Sequence, residues 1–143
     1  MTSEHAAAEI RLGVLRLARR LRSERPADGL SVNKSSILGH LRRQGPMTAG
    51  ALATADRQQP QSLTRVLAEL QRDGLVVRSR DDHDARQSVL SLTDAGRTAF
   101  ARDMAQRDAW LGTALDDVTD TERELLVLAA RLMTRLADAP ASH

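Results

Sequence analysis

The sequence predicts a mainly α-helical fold carrying one small β-hairpin, and three features of the 143-residue chain predict it. Apolar side chains recur at helical spacing in most of the segments between turn signals, as at Leu63, Val66, Leu67 and Leu70. Two short β-rich runs, Leu75–Arg78 and Ser88–Leu92, are separated by nine mostly polar residues, the pattern of a hairpin with an extended tip. Helix starts are marked at Pro60, where proline is tolerated best, and at Thr119-Asp120-Thr121-Glu122, where Thr119 and Glu122 can satisfy each other's backbone donors as a capping box.

The elements follow in order. A first helix is expected over residues 6–25, with Ile10, Val14, Leu17 and Leu21 as its stripe and Arg11, Arg16, Arg19 and Arg22 flanking it; Pro26 and Gly29 stop it. A second runs from Val32 to Gln44, with Ser31 as N-cap, Ile37, Leu38 and Leu41 inward, and Gly45 as the left-handed residue at its end. Thr48 caps a short third helix, Ala49 to Ala55, whose one large inward residue is Leu52. The fourth helix opens at Pro60 and ends at Gly74. If Leu63, Val66, Leu67 and Leu70 face the core, then Gln61, Ser62, Thr64, Arg65, Ala68 and Arg72 face outward. After the hairpin, Thr93 caps a long fifth helix carrying Phe100, Met104, Leu111 and Leu115. Asp116-Asp117-Val118 breaks the chain, and a sixth helix follows with Leu125, Leu128, Leu132 and Leu136 as its stripe.

A helix with one polar face, a turn, a strand, a charged tip, a second strand and a helix start make the layout of a winged helix-turn-helix. In that fold an exposed helix enters the DNA major groove and the hairpin reaches along the duplex. The expected organisation is an N-terminal dimerisation helix over 1–29, a winged helix-turn-helix domain over 30–96, and C-terminal dimerisation helices over 97–143, all in one structural unit. The first, fifth and sixth helices carry more apolar stripe than one small winged domain can cover. Two copies would bury it, and two-fold closure is the commonest solution, so a homodimer is expected.

Composition narrows the class further. The 41% apolar and 28% charged residues are ordinary for a globular chain. The isoelectric point of 10.3 accompanies a net charge of only +2. With no Tyr, no Cys and the single lysine Lys34, little titrates between neutrality and strong alkali, so the high value reports missing buffers more than a large positive field. Distribution says more. Residues 1–100 hold 16 basic and 11 acidic side chains, whereas residues 101–143 hold 5 and 8, so the basic excess falls on the part that would face phosphates. The lack of cysteine excludes thiol redox sensing and thiolate metal sites. No apolar run approaches the ~18 residues that span a bilayer. The polar start at Thr2, Ser3, Glu4 and His5 lacks a signal pattern, so a cytoplasmic location is expected.

Five motifs in order carry a resemblance: Gly45-Pro46-Met47-Thr48…Leu52-Ala53, Pro60-x-Ser62-x-Thr64-Arg65, Gly74-Leu75-Val76-x-Arg78, Asp84-x-Arg86 and Leu92-Thr93-x-x-Gly96. Together they resemble the MarR family of bacterial transcription regulators, with even spacing from about Leu30 to Gly96. Trp110-Leu111, the capping box and the sixth helix look like that family's dimerisation half. The resemblance implies a dimeric winged-helix protein on a pseudo-palindromic operator, usually a repressor released by a ligand. It also implies that Asp84 pairs within the wing and fixes Arg86, whose guanidinium enters the minor groove. A narrow A·T-rich groove favours arginine there.

The residues have chemistry suited to those roles. Arg65 can make a bidentate contact to guanine, Gln61 can read adenine, and Ser62 or Thr64 can bond phosphate or base. An i,i+4 ion pair with Glu69 is the plainer reading of Arg65, and the two are compatible. Gln59, with Arg57 and Gln58, leads into the fourth helix and either holds phosphate or is an ordinary polar loop. Arg80, His83 and Arg86 at the hairpin tip are the remaining DNA-contact candidates, a solvated charged turn being the alternative. Asp56 has no assigned role, since an acid sits awkwardly in a loop that approaches DNA. The dimerisation candidates are Ile10, Val14, Leu17, Leu111, Leu115, Leu125, Leu128, Leu132 and Leu136.

Other chemistries find little support. Ser31-Val32-Asn33-Lys34 has the Ser-x-x-Lys spacing of acyl-transfer enzymes without their partner motifs, and Ser31 already serves as a cap. His5, His40, His83 and His143 show no ligand spacing, so no metal is expected. No cofactor loop or nucleophile elbow appears, so no cofactor and no enzymatic activity are expected. A small aromatic or amphipathic effector could sit where the fifth helix meets the winged domain, as in relatives, although Phe100, Met104 and Trp110 equally suit a core. The rival function is a winged-helix dimer that docks a protein and lacks operator recognition. A face of that kind would favour aromatic or aliphatic anchors over Gln61, Ser62, Thr64 and Arg65.

Overall fold

Twelve apolar side chains from three helices, the hairpin and one loop residue form a single core: Ile37, Leu38, Leu41, Met47, Leu52, Leu63, Val66, Leu67, Leu70, Val76, Leu90 and Leu92. The computed structural model describes residues 1–140, so His143 lies outside the described residues. The elements are α1 (Ser3–Ser23), α2 (Val32–Gln44), α3 (Ala49–Asp56), α4 (Pro60–Arg72), β1 (Val76–Arg80), β2 (Ser88–Leu92), α5 (Asp94–Leu115) and α6 (Asp120–Ala137). Two compact units result, Met1–Arg107 and the chain from Asp108 onward, with the boundary inside α5. Among the described residues no helix is long and apolar enough to cross a membrane.

In the first unit the caps fall where polar side chains can meet the first free N–H groups of a helix. Ser31 accepts from Lys34 N–H at 3.2 Å and Thr48 from Ala51 N–H at 3.1 Å. Helix α1 begins earlier than apolar spacing indicates because Thr2 accepts from His5 N–H, and it ends at Ser23, short of residue 25. Gly45 does adopt a positive φ of 79°, but its ψ of −160° lies outside the left-handed helical region expected for it.

Strands β1 and β2 pair antiparallel, with Val76 opposite Leu92, Arg78 opposite Leu90 and Arg80 opposite Ser88. The first strand runs two residues beyond the apolar run, since Ser79 and Arg80 keep pairing, and the tip shrinks to residues 81–87. Met47 bridges Leu90 by two backbone hydrogen bonds of 3.0 and 2.7 Å, which ties the α2–α3 loop to the hairpin. Thr93 links hairpin and helix: its hydroxyl donates to Gly74 O at 2.6 Å and accepts from Gly96 N–H at 3.0 Å. Gly96 is needed there, because a Cβ would lie 2.1 Å from Leu75 O.

The second unit contains the end of α5 and all of α6. Glu122 accepts from Thr119 N–H at 2.8 Å while Thr119 Oγ1 accepts from Glu122 N–H at 3.1 Å, the expected capping box. The Thr119 backbone N–H, and then its hydroxyl, hold the Glu122 carboxyl below its ordinary value of 4.5. A lowered folded-state pKa gives stability that is present above the ordinary value and is lost as pH falls through the lowered one. Amide protection in the first turn of α6, taken relative to the intrinsic exchange rate at each pH, should therefore fall as pH drops below about 4.5, an acceleration beyond the intrinsic pH dependence. In Glu122→Gln that acceleration should disappear, and an unchanged pH profile in this variant would contradict the assignment.

Candidate nucleic-acid interface

The polar side of α4 is exposed because its other side is committed to the core. Leu63, Val66, Leu67 and Leu70 are buried, while Gln61, Ser62, Thr64, Arg65, Ala68 and Arg72 are exposed. Gln59 is the N-cap and makes no side-chain cap bond, and Pro60 follows at the first helical position, so both Gln59 and Gln61 are open to solvent. The first turn presents backbone N–H groups at the positive end of the helix dipole, a favourable site for phosphate. Thr64 Oγ1 donates to Pro60 O at 2.8 Å, which leaves its oxygen lone pairs for an outside donor.

Arg65 pairs loosely with Glu69 at 3.8 Å. The other oxygen of Glu69 lies 3.3 Å from Lys34 Nζ, which also sits 3.8 Å from Asp73. The i,i+4 pair and DNA contact are thus compatible: the pair is an exposed one, worth at most ~1 kcal/mol, and Arg65 keeps 71% of its side chain in solvent.

On the wing, Asp84 accepts from Arg86 N–H at 3.0 Å and from Arg86 Nε at 3.2 Å. The guanidinium is held from behind yet remains 92% exposed. Asp81 turns inward to accept from His83 N–H at 3.1 Å, so two of the three tip aspartates are engaged in shaping the tip. Arg80 ends β1 and is exposed, as is His83. Arg78, a neighbour outside the candidate set, donates to Ser88 Oγ across the strands at 2.9 Å.

Asp56, left without a role on sequence grounds, points into the protein. It is only 7% exposed and accepts from Ser36 Oγ, from His40 Nε2 at 3.0 Å and from Gln58 Nε2. Its carboxylate thereby joins α2 to the turn between α3 and α4. Arg57 caps α3 in the left-handed region with φ 52°, an uncommon conformation for a non-glycine residue. The Asp56–Gln58 bond brackets that residue on both sides. Nothing in the local pattern of residues 36–40 links them to residue 56.

Three helices of the first unit, α1, α2 and α5, line a cavity of about 400 Å3. Leu21, Phe100 and Met104 give it apolar walls, and Arg22, His40 and Arg43 give it polar ones. Trp110, grouped with Phe100 and Met104 on sequence grounds, belongs to the second unit. Deeper in α5, Asp103 and Arg107 form a buried pair at 3.3 Å. Their sequence signal was an i,i+4 charge pair on the same face as Phe100 and Met104.

The dimerisation candidates divide by element. Ile10, Val14 and Leu17 on α1 and Leu125, Leu128, Leu132 and Leu136 on α6 are exposed, and neither helix has a buried residue. Leu111 and Leu115 on α5 are half-buried.

Comparison with known proteins agrees with this geometry. The MarR family model matches residues 28–87, which span the helix-turn-helix and the hairpin up to its tip. An uncharacterised HTH-type transcriptional regulator of Mycobacterium bovis is 37% identical over 132 residues, covering 92% of each chain. The HTH-type transcriptional repressor MdtR of Bacillus subtilis is 27% identical over 111 residues, 78% of this chain and 70% of that one. A transcriptional regulator of Pseudomonas aeruginosa, solved by crystallography, superposes with a TM-score of 0.79 at 34% identity, covering 99% of this chain and all of the other. With an exposed polar helix, a braced wing arginine and these relatives, the chain belongs to the MarR family of winged helix-turn-helix proteins and is a DNA-binding transcription regulator.

Proposed function

We propose that this regulator is a repressor that binds a pseudo-palindromic operator as a homodimer. The observation that carries the reading is the commitment of Leu63, Val66, Leu67 and Leu70 to the core, which leaves Gln61, Ser62, Thr64 and Arg65 on the open side of α4. Two copies of α4 enter successive major grooves about 34 Å apart. Arg65 reads guanine and Gln61 adenine, Gln59, Ser62 and Thr64 hold phosphate or base edges, and Arg86 enters the flanking minor groove with Arg80 and His83 on the backbone. Occluding a promoter in this way represses it, the sign of regulation that MdtR carries in its name.

Effector control has its support in the cavity among α1, α2 and α5. Its volume of about 400 Å3 suits a small molecule, and apolar walls beside arginines suit an aromatic or amphipathic anion. Such a ligand releases DNA only by binding the non-binding geometry more tightly.

The test uses labelled DNA from the region upstream of the protein's own coding sequence. Parent protein should bind one fragment with an affinity that falls steeply with salt. Arg65→Ala should cost about 1–3 kcal/mol at that fragment and lose discrimination at the guanine it reads. Salt-insensitive binding, or equal affinity in parent and Arg65→Ala, would favour the protein-docking module instead.

A further inference from the structure

Asp56 is spent inside the protein, and the chemistry of one of its donors is specific. His40 Nδ1 lies 3.1 Å from Arg43 Nη2, and His40 Nε2 lies 3.0 Å from Asp56 Oδ1. A guanidinium donates and never accepts, so Nδ1 must be the unprotonated nitrogen. In this geometry Nε2 is the nitrogen that donates to Asp56. A second proton can go only to Nδ1, and it can settle there only when Arg43 turns away. Arg43 has room to do so, since it is exposed and lines the cavity beside His40.

The charged groups around His40 come from every element packed there. They are Arg43 on α2 itself, Asp56 at the end of α3, Arg22 of α1, and Arg107 of α5 with its partner Asp103. Of these groups, the Asp56 carboxylate is the acceptor that His40 reaches directly.

We propose that His40 is a proton-responsive positioning residue for the recognition helix: through Asp56 it sets how firmly the turn into α4 is held, and Arg43 gates its charge from the cavity. The proposal rests on the reading of α4 as the helix that enters the major groove. Its path is short. Asp56 is the last residue of α3, Arg57 is left-handed, the Gln58 amide shares the Asp56 carboxylate, and α4 begins at Pro60. The carboxylate already makes this bond charge-assisted, and a charged imidazole adds direct Coulomb attraction to it. The turn is then better pre-organised for DNA, and less ordering is left to be done on binding. Histidine is the side chain most often used for such a change of charge near neutrality.

Two measurements on the full chain decide it. In the first, nitrogen-15 spectra of the free protein should show the Nε2–H tautomer for neutral His40. The amides of Arg57, Gln58, Gln59 and Gln61 should shift in step with its titration. Asp56→Asn should uncouple them, and Arg43→Ala, which frees Nδ1, should change the Nδ1 resonance. In the second, affinity for the upstream fragment is measured in a His83→Gln background, which removes the wing's own histidine. It should be about fivefold tighter near pH 6 than near pH 8, and adding His40→Gln, whose amide can still donate to Asp56, should flatten that difference. An Nδ1–H tautomer, or turn amides that ignore His40, would overturn the link. Equal pH profiles with and without His40→Gln would overturn its reach to DNA. A parent that binds no upstream fragment at any pH brings down the operator reading, while the amide titration still decides whether His40 governs the turn.

Discussion

Replacing Leu128 and Leu132 together with glutamate is expected to convert the proposed homodimer into a 15.6 kDa monomer and to abolish operator binding in the same step. The two leucines are 53% and 42% exposed and share a stripe with Leu125 and Leu136, and α6 also leaves Leu126, Val127 and Met133 uncovered. On α1, Ile10, Leu12, Val14, Leu15 and Leu17 are uncovered in the same way. Single exposed leucines are ordinary on a protein surface, but two helices without one buried residue between them are not. Burying one leucine is worth about 1.5–3 kcal/mol. Two copies of a double substitution remove four such burials and place four carboxylates in an apolar interface, so a dissociation constant raised by at least a thousandfold is expected. Operator affinity should fall with it, because the second half-site is no longer bound intramolecularly. Light scattering behind size-exclusion chromatography reads the mass, and circular dichroism checks that helicity is retained. A variant that remains dimeric, or a monomer that still binds the fragment tightly, would remove α6 from the interface.

The elements that could be read from sequence are those whose signal is local. The stripe Leu63–Val66–Leu67–Leu70 determines both the inner and the outer face of α4, so burial of the first places Arg65 outside by subtraction. Ser31, Thr48 and Thr119 could be named as caps because capping is decided within three residues. Boundaries were harder where backbone pairing outlasts side-chain pattern, as at Ser79 and Arg80, which continue β1 with no apolar residue to announce it. The role of Asp56 was beyond reach for a different reason. Its partners Ser36 and His40 stand 20 and 16 residues away and are brought to it by the crossing of α2 and α3, a tertiary event without a periodic signature. Asp103 was the same kind of omission, with donors 68 and 73 residues distant.

Asp103 also gives the largest expected loss of stability from a single substitution. It is 2% exposed and fully occupied: Oδ1 accepts from Leu30 N–H at 3.0 Å, and Oδ2 accepts from Ser35 Oγ at 3.2 Å and pairs with Arg107 Nη1 at 3.3 Å. One carboxylate thus holds the loop before α2, the first turns of α2 and the middle of α5. Asp103→Ala leaves the half-buried Leu30 N–H, the buried Ser35 hydroxyl and the Arg107 guanidinium without their acceptor, and the Arg107 cation, only 13% exposed, loses its counter-charge. Arg107 Nε is already buried without a partner among the described residues, so the guanidinium has little else to turn to. Breaking a buried pair from one side costs about 3–5 kcal/mol. Against a total stability of roughly 5–15 kcal/mol, that lowers the melting temperature by roughly 10–15 °C. Asp103→Asn keeps the volume and one carbonyl acceptor, so it should cost only about 1–3 kcal/mol. Adding Arg107→Met to Asp103→Ala should restore part of the loss, since it removes the stranded cation while leaving only Leu30 N–H and Ser35 Oγ unpaired. Urea titrations of the three variants separate the contributions. If Asp103→Ala melts within a few degrees of the parent, water must reach the carboxylate's place, and the joint between α5 and the start of α2 is far looser than its burial indicates.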